Sequence, residues 1–363
     1  MKRLWIVQPY VPGYRVPFFE RLTDALEGQG IELKVIAGSP SGTQARRGDS
    51  ISPPWLVTAR DRELAIRGRT LTLTSTRGHW KGADAVIVPH MGTSLDAATA
   101  LLIGRRTRVG VWGHIASYTA PAHPIDAAIE RWQLRRADRV FAYTPGGAAF
   151  AIEQGVEDSK ITTVMNSVDT AQLDHDLDTL QAEDLVAFRD AHGVPGGVPT
   201  AAFVGGLDQS KRIDMLSASL EILHEQRSSL HILVGGAGDQ EHLLRPAEAR
   251  GQVTLLGRVN GKTKATVLAS ADAIVNPGRI GLVAVDALAA GIPVLTTQYR
   301  FHAPEAEYLS EGQTMYSSAD DPVSYATLIS GHIGSGSPRE RLAHPTLDQM
   351  VSNFAGGAGL LLA

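Results

Sequence analysis

Short apolar segments recur along the whole chain and alternate with stretches of helical periodicity. Six of them fall in the first half, at 4–8, 33–37, 85–88, 108–112, 139–143 and 161–164. After the first one, Phe18, Phe19, Leu22 and Leu26 recur at the spacing of one helix face. Strands that alternate with helices in this way predict a largely parallel sheet with helices on its faces.

A second alternating series follows a Gly/Pro cluster at 193–199, which we interpret as a linker between two domains. Its strands are expected at 200–204, 231–234, 253–256, 273–275 and 293–295. The chain is thus predicted to form two Rossmann-like, doubly wound α/β domains that face each other. We assign residues 1–170 to the first domain and residues 171–345 to the second. A last helix at 346–363 is a candidate to cross back to the first domain.

Glycine-rich turns follow three strands of the second series. They are Gly205-Gly206, Gly235 to Gly238 and Gly278 to Gly281. Backbone amides in such turns lie at the carboxyl edge of a parallel sheet, where they can hold a phosphate together with the start of the next helix. The three turns therefore favour a phosphate or nucleotide site in the second domain. Because Gly238 does not complete a G-x-G-x-x-G motif, a nicotinamide cofactor is disfavoured.

Composition excludes several classes of protein. The 363 residues are 43% hydrophobic and include no cysteine, which excludes disulfides, a cysteine-ligated zinc site and a thiol nucleophile. No segment approaches the roughly 20 apolar residues of a membrane span. The apolar run at the start of the chain is too short for a signal peptide. We therefore expect a cytoplasmic protein.

Charge is distributed unevenly between the two halves. Of the 34 Lys/Arg residues, 21 lie in residues 1–170, and of the 38 Asp/Glu residues, 22 lie in residues 171–363. A basic first domain is compatible with peripheral contact with an anionic membrane, with attraction to the acidic second domain, or with ordinary solvated charge. The arginines near 105–108 and 135–139 have no interleaved aromatic residues, so nucleic acid is not an expected partner.

Several segments of the second half form a recognisable series. They read FVGGLDQSKRID, HILVGGAGDQEHLL, VTLLGRV, and ASADAIVNP followed by GLVAVDALAAGIPVLTT. In order and spacing they resemble the donor-binding domain of family 4 glycosyltransferases of GT-B fold. Upstream, RRADRVFAYTPGGAAFAIEQGVEDSKITTVMNSVDT resembles the end of that family's first domain, and WGHIASY resembles the segment with its active-site histidine.

The resemblance implies transfer of a sugar from a nucleoside diphosphate sugar, such as a UDP or GDP sugar, with retention of configuration and without a metal ion or other cofactor. Lys211 matches the family's phosphate-binding lysine. The helix start whose amides hold the phosphates is matched by Gly281, Leu282 and Val283. An ammonium group suits a diphosphate leaving group, because negative charge grows there as the glycosidic bond breaks.

Four further residues match functional positions of the family. Asp286 matches the acid that binds the ribose hydroxyls, and Arg258 and Val259 match the segment beside the base. His114 matches the first-domain histidine that faces the donor sugar. The resemblance thus implies that the second domain binds most of the donor and that the first domain contributes His114.

Two positions depart from the family pattern. The acid that contacts the donor sugar in the family falls on Gly278, and its phosphate-binding arginine falls on Gly206. Glu305 is our candidate to replace the missing acid. Arg212 or Arg279 is our candidate to replace the missing cation.

The acceptor is expected on the side of the first domain, near Gly13, Tyr14 and Arg15 in the loop after the first strand, and near His114. A glycan, a lipid-linked molecule or a small metabolite would each fit. Because two family side chains are missing, a non-catalytic GT-B protein that binds a nucleotide is an alternative. A nucleotide-sugar epimerase of the same fold is a second alternative.

Overall fold

The computed structural model describes residues 1–40, 51–60, 62–66, 69–75, 77–103, 107–118, 123–334 and 341–363. The chain forms two compact units. Unit 1 comprises Met1–Asp169 and Pro345–Ala363, and unit 2 comprises Thr170–His344. The chain therefore leaves unit 1 after Asp169 and returns to it for its last helix. The arginines at 105 and 106 lie outside the described residues.

Unit 1 is an α/β unit with one parallel sheet. Its strands are β1 (Lys2–Gln8), β2 (Ile31–Ala37), β3 (Leu56–Thr58), β4 (Arg62–Ile66), β5 (Arg69–Leu73), β6 (Ala85–Pro89), β7 (Arg108–Gly113), β8 (Arg139–Ala142) and β9 (Ile161–Thr163). The sheet has the order β3-β2-β1-β6-β7-β8-β9, and all of its pairings are parallel. The remaining strands, β4 and β5, form an antiparallel hairpin.

Helices cover both faces of this sheet. They are α1 (Val16–Glu27), α2 (Arg77–Trp80), α3 (Leu95–Ile103), α4 (Pro124–Arg136), α5 (Pro145–Glu153) and the last helix of the chain, with short 3-10 helices at Gly13–Arg15 and Asp158–Lys160. The last helix, Leu347–Leu362, begins where the Thr346 hydroxyl accepts a hydrogen bond from the Gln349 amide at 3.1 Å. It inserts Phe354 between Phe141, at a ring distance of 4.7 Å, and Trp112, at 4.9 Å. This helix is therefore part of the core of unit 1.

Unit 2 repeats the architecture with six strands. They are β10 (Thr200–Val204), β11 (His231–Gly235), β12 (Val253–Gly257), β13 (Ala273–Val275), β14 (Val294–Thr297) and β15 (Met315–Ser318). Their order is β12-β11-β10-β13-β14-β15, and every pairing is parallel. Each unit thus has the doubly wound α/β architecture that the sequence predicts.

The helices of unit 2 are numbered on from unit 1. They are α6 (Ala171–Thr179), α7 (Ala182–Ala191), α8 (Ile213–Glu225), α9 (Arg245–Ala249), α10 (Gly261–Ala269), α11 (Val283–Ala290) and α12 (Pro322–His332), and Leu347–Leu362 of unit 1 is α13. Short 3-10 helices lie at Gln209–Lys211, Glu241–Leu244 and Pro304–Tyr308. The fully buried helix α11 ends at Gly291, which has a left-handed φ of 66° that favours glycine.

The Gly/Pro cluster at 193–199 is not the linker that we predicted, because it lies inside unit 2. There the Arg189 guanidinium donates hydrogen bonds to the carbonyls of Pro195 at 2.9 Å and Val198 at 2.7 Å. These bonds tie the cluster to α7 as the chain enters β10. A cluster of glycine and proline indicates a turn. It cannot distinguish a turn within a domain from a linker between domains.

Candidate functional site

The predicted donor residues of unit 2 gather at the carboxyl edge of its sheet. Three neighbouring strands, β10, β13 and β14, end at this edge. The loops that follow them span 205–212, 276–282 and 298–303. Because parallel strands end on the same side, residues far apart in sequence meet there. The geometry of these three loops defines the candidate site.

Lys211 joins the first two loops. The carboxylate of Asp208 accepts hydrogen bonds from the Ser210 amide at 2.8 Å and the Ser210 hydroxyl at 2.5 Å, which fixes the turn before Lys211. From this turn the Lys211 ammonium donates a hydrogen bond to the Arg279 carbonyl. Its side chain passes over Gly205, where a Cβ atom would lie 3.6 Å from Lys211 Cε. The structure thus places the predicted phosphate-binding lysine between the first and third glycine turns.

Gly278 is required by the close approach of these two loops. A Cβ atom at this position would lie 2.5 Å from the Lys211 carbonyl carbon and 2.5 Å from the Ser210 carbonyl oxygen. The next residue, Arg279, donates its amide to the same Ser210 oxygen at 2.8 Å. No side chain fits at Gly278 without separating the loops. The packing of the two loops therefore excludes a side chain at Gly278.

The start of α11 presents backbone amides beside Lys211. The first amides of a helix have no partner within the helix, and the helix dipole adds partial positive charge there. Gly281 and Leu282 precede Val283, the first helical residue, and the Gly281 carbonyl accepts from the Ala284 amide at 2.9 Å. The helix start and the ammonium therefore form a positively polarised surface that suits an anion.

His302 supports this helix start, although the sequence analysis did not single it out. Its Nδ1 accepts a hydrogen bond from the Ile280 amide at 3.1 Å. Burial, and then the nearby Lys211 ammonium, lower the pKa of His302 from 6.5 to about 4. The imidazole is therefore neutral at pH 7, which lets Nδ1 accept the bond from Ile280. The only sequence signal was its place in the segment that contains Glu305.

Glu305, our candidate for the substitute acid, lies next to the start of α11. Only 3% of the residue is exposed. One carboxylate oxygen lies 4.0 Å from the Cβ position of Gly281. A side chain at Gly281 would therefore come into van der Waals contact with the buried carboxylate. It belongs to the 3-10 helix Pro304–Tyr308, which immediately follows the loop that carries His302.

Asp286 is placed on the first turn of α11, but it already has a cationic partner. Lys264 on α10 donates a hydrogen bond to its Oδ1 at 2.7 Å. Both side chains are largely buried, with 20% of the Lys264 side chain and 11% of the Asp286 side chain exposed. Lys264 was missed because nothing in the sequence spacing links α10 to α11.

The two arginine candidates differ in their surroundings. Arg212 forms an ion pair with Asp320, and its guanidinium lies 5.7 Å from the ring centre of Tyr299. Arg279 is half-buried, and its Nε donates to the Phe301 carbonyl at 3.4 Å. Both line a polar cavity of about 390 Å³ with Gln209, Ser210, Asp214 and Tyr299. Arg212 is thus partly neutralised by Asp320.

The predicted base-binding segment follows β12. Arg258 is exposed, whereas Val259 is half-buried and packs against Gly235 at the end of the neighbouring strand β11. A side chain at Gly235 would collide with Val259. The second glycine turn therefore allows the segment at 258–259 to lie close to β11.

In unit 1, His114 follows β7 and is half-buried. Its ring lies 5.0 Å from the ring of Tyr143 and 6.4 Å from that of Tyr118, both edge to face. The backbone at His114 is packed closely, because a Cβ atom at Gly147 would lie 2.7 Å from its carbonyl oxygen. Two tyrosine rings and the close approach of α5 thus surround the predicted histidine.

Arg15, which we expected on the acceptor side, is buried within unit 1. It is only 5% exposed, donates hydrogen bonds to Asn166 and, at 3.4 Å, to Met350 Sδ, and lies 5.6 Å from the Trp112 ring. A guanidinium in such surroundings stabilises the core of unit 1. Tyr14 is 46% exposed. Gly13 opens the 3-10 helix that contains both residues.

Two family models match the chain, one in each unit. Residues 18–172 match the model described as Glycosyltransferase Family 4, and residues 198–333 match the model described as Glycosyl transferases group 1. The first segment lies in unit 1 except for its last three residues, and the second lies wholly in unit 2. Together they support a glycosyltransferase of GT-B fold.

Two curated proteins are similar over part of the chain. An uncharacterized glycosyltransferase of Methanocaldococcus jannaschii is 31% identical over 147 residues, which are 39% of this chain and 37% of that protein. The phosphatidyl-myo-inositol mannosyltransferase of Mycolicibacterium smegmatis is 32% identical over 123 residues, or 31% of this chain and 32% of that protein. The chain thus spans about a third of the length of the curated relatives that it matches.

Solved structures with the same fold cover nearly the whole chain. A glycosyltransferase from Rickettsia africae superposes with a TM-score of 0.65 at 14% identity, over 99% of this chain and 98% of its own. The UDP-GlcNAc 2-epimerase of Methanocaldococcus jannaschii, in complex with UDP-GlcNAc and UDP, gives 0.60 at 13% identity, over 98% and 99%. At these identities the likeness establishes the fold alone, which is GT-B.

Proposed function

We propose that this protein transfers a sugar from a nucleoside diphosphate sugar to an acceptor hydroxyl, with retention of the anomeric configuration. One observation carries the proposal. The Lys211 ammonium, Arg279 and the start of α11 lie together at one edge of the unit 2 sheet, where Lys211 donates a hydrogen bond to the Arg279 carbonyl. Such a positively polarised edge suits the diphosphate of the donor, whose negative charge increases as the bond to the sugar breaks.

In the proposed reaction, the bond between the anomeric carbon and the diphosphate oxygen breaks, and the bonding electrons leave with the diphosphate. The acceptor oxygen forms the new bond on the same face of the sugar, and its proton leaves with the nucleoside diphosphate. Lys211 and the amides of Gly281, Leu282 and Val283 stabilise the charge on the leaving group. His114 of unit 1 is assigned to the donor sugar, and the segment at Arg258 and Val259 to the base.

Glu305 takes the place of the acid that is absent at Gly278. The packing of Gly278 against Lys211 excludes a side chain there, while Glu305 brings a buried carboxylate to within 4.0 Å of the Cβ position of Gly281. A carboxylate accepts hydrogen bonds only, so it would select sugar hydroxyls. Asp286, held by Lys264, is assigned to the ribose diol. Neutralisation of the diphosphate is assigned to Lys211, Arg279 and the start of α11 rather than to a metal ion.

Thermal shift with nucleotides tests the proposal most directly. The full chain is melted alone and with UDP, GDP, ADP and their sugars, all in EDTA. A ligand at 100 times its Kd should stabilise the chain by about 2.7 kcal/mol. Candidate acceptors are then screened by release of nucleoside diphosphate, and the anomeric configuration of the product is read by NMR. If no nucleotide or nucleotide sugar raises the melting temperature, the proposal is wrong.

Two rival functions are distinguished by the same assays. A non-catalytic nucleotide-binding protein is favoured by the absence of side chains at Gly206 and Gly278, and it would show a thermal shift without turnover for any acceptor. An epimerase is favoured by the fold shared with UDP-GlcNAc 2-epimerase, and it would convert the donor sugar in the absence of an acceptor. Release of nucleoside diphosphate that depends on an acceptor supports the transferase.

A further inference from the structure

An apolar surface lies on the outer face of α4 in unit 1. Four side chains at helical spacing, Ile125, Ala128, Ile129 and Trp132, line it together with Pro124, and they border a groove of about 410 Å³. We call these four residues the α4 stripe. Ile125 is 52% exposed, although an isoleucine on a helix of an α/β domain normally faces the core.

The charges of α4 are separated between its two faces. The acids are turned inward: Glu130 accepts a hydrogen bond from the Gly92 amide at 3.0 Å, and burial raises its pKa. Asp126 packs against Gly92, where a Cβ atom would lie 2.6 Å from its Cα. By contrast, the arginines at 131, 135 and 136 are all exposed. The outer face is therefore both apolar and positively charged.

The neighbouring helix extends the apolar character. Helix α3 packs against α4 and ends with Leu102 and Ile103, which are 63% and 45% exposed. Leucine and isoleucine at these positions are usually buried, and positions that face only solvent usually carry polar residues. No helix within the described part of the chain is long and apolar enough to cross a bilayer.

We propose that the α4 stripe and the arginines beside it bind the surface of an anionic lipid membrane. Apolar side chains that include a tryptophan enter the boundary between headgroups and acyl chains, while adjacent arginines meet the lipid phosphates. Charge complementarity favours this occupant over a second copy of the chain. Two copies paired through this face would bring their exposed arginines together, which is unfavourable. The inference is independent of the proposed glycosyl transfer.

Vesicle sedimentation with the full chain tests the surface. Vesicles of phosphatidylcholine alone are compared with vesicles that contain phosphatidylcholine and phosphatidylglycerol in equal amounts. Binding to the anionic vesicles is expected to exceed binding to the neutral ones and to fall with added salt. R131Q/R136Q should weaken it about fivefold for each charge removed. I125D should weaken it further, because it places a carboxylate in the stripe.

Matched controls use exposed residues of unit 2. Val186, which is 58% exposed, gives V186D as the control for I125D. Arg227 and Lys262 are exposed as well, so R227Q/K262Q is the control for the double arginine variant. Both controls should bind anionic vesicles like the unaltered chain. Equal loss in I125D and V186D, or no preference for anionic vesicles, would overturn the proposal.

Tryptophan quenching locates the contact. Trp5, Trp80 and Trp112 are at most 5% exposed, whereas Trp132 is half-buried within the stripe. Trp55 is half-buried as well, but it packs against Phe19 at a ring distance of 5.7 Å and is not part of the stripe. Vesicles with brominated acyl chains should therefore quench part of the fluorescence, and W132F should abolish that part while keeping an apolar ring. Sedimentation velocity tests the alternative occupant, a second copy of the chain. A dimer that I125D dissociates, with vesicle binding unchanged, would show a self-association surface and overturn the membrane assignment.

Discussion

Lys264 and Asp286 form a hydrogen-bonded ion pair of 2.7 Å between α10 and the first turn of α11. The carboxylate proposed to bind ribose is therefore held in place before any ligand arrives. A carboxylate has about four acceptor positions on its two oxygens, so one bond to Lys264 leaves capacity for a diol. Lys264 acts in this proposal as a positioning residue for Asp286.

Loss of this pair is expected to affect both stability and nucleotide binding. In Lys264→Ala the largely buried carboxylate loses its charged partner, so the free energy of unfolding should fall by about 1.5–3 kcal/mol. Nucleotide affinity should fall about fivefold, as expected for about 1 kcal/mol. Urea unfolding and nucleotide titration measure the two effects.

Lys262→Ala on the same helix is the matched control. Its side chain is 62% exposed and meets Asp184 at 3.2 Å. A surface pair of this kind contributes little, so both measurements should stay close to those of the unaltered chain. Equal effects of the two lysine substitutions would remove Lys264 from the site.

Gly278→Ala should separate the first two loops of the site. Its Cβ atom would lie 2.5 Å from Ser210 and Lys211 backbone atoms, so the loops must move apart. We expect a loss of about 1–3 kcal/mol in unfolding free energy, together with reduced turnover. In Gly331→Ala, by contrast, the new methyl meets nothing within 4 Å and lies in α12. A normal melting temperature for Gly278→Ala would show that the loops tolerate a side chain.

Lys211→Ala should lower kcat by about 100- to 1000-fold, the usual effect of removing one stabiliser of developing charge. Because the residue is half-buried on a surface loop, the fold should remain intact, as shown by circular dichroism. Lys262→Ala again controls for loss of one positive charge in unit 2. Turnover within a factor of two of the unaltered enzyme would exclude Lys211 from the mechanism.

Glu305→Gln tests the substitute acid. The amide keeps the shape of the side chain but loses the charge, so a hydrogen bond from a sugar hydroxyl should weaken by about 1.5–3 kcal/mol. We expect kcat/KM to fall about 10- to 100-fold, while stabilisation by the nucleoside diphosphate without sugar is retained. Glu307→Gln, in the same 3-10 helix but exposed, should behave like the unaltered chain. An equal loss of nucleotide and nucleotide-sugar binding would argue against a sugar contact.

His302 predicts acid sensitivity of unit 2. Its pKa is about 4 in the folded chain and 6.5 without these surroundings. Between these values the unfolded chain binds the proton and the folded chain does not, so stability decreases as the pH falls from 6.5 to 4. The full effect is about 3 kcal/mol. In His302→Asn, unfolding measured across this range should show a shallower pH dependence, and an unchanged slope would contradict the assignment.

The sequence predicts the fold well because each strand and helix is encoded locally. The apolar runs and glycine turns mark β10, β11 and β13, and the family resemblance assigns Lys211 and the start of α11. Lys264 and His302 could not be found in this way, because their roles depend on contacts between loops and helices that are distant in sequence. The burial of Arg15 could not be predicted either, because its partners Asn166 and Met350 lie far away in sequence.

The return of the chain to unit 1 has a consequence for its synthesis. Phe354 on α13 packs against Phe18, Trp112 and Phe141 of unit 1. These three rings emerge from the ribosome before unit 2 and stay uncovered until α13 has been made. Unit 2 is complete at His344 and can fold first. During that interval the face of unit 1 that α13 later covers is left open, and apolar surface exposed in this way favours aggregation.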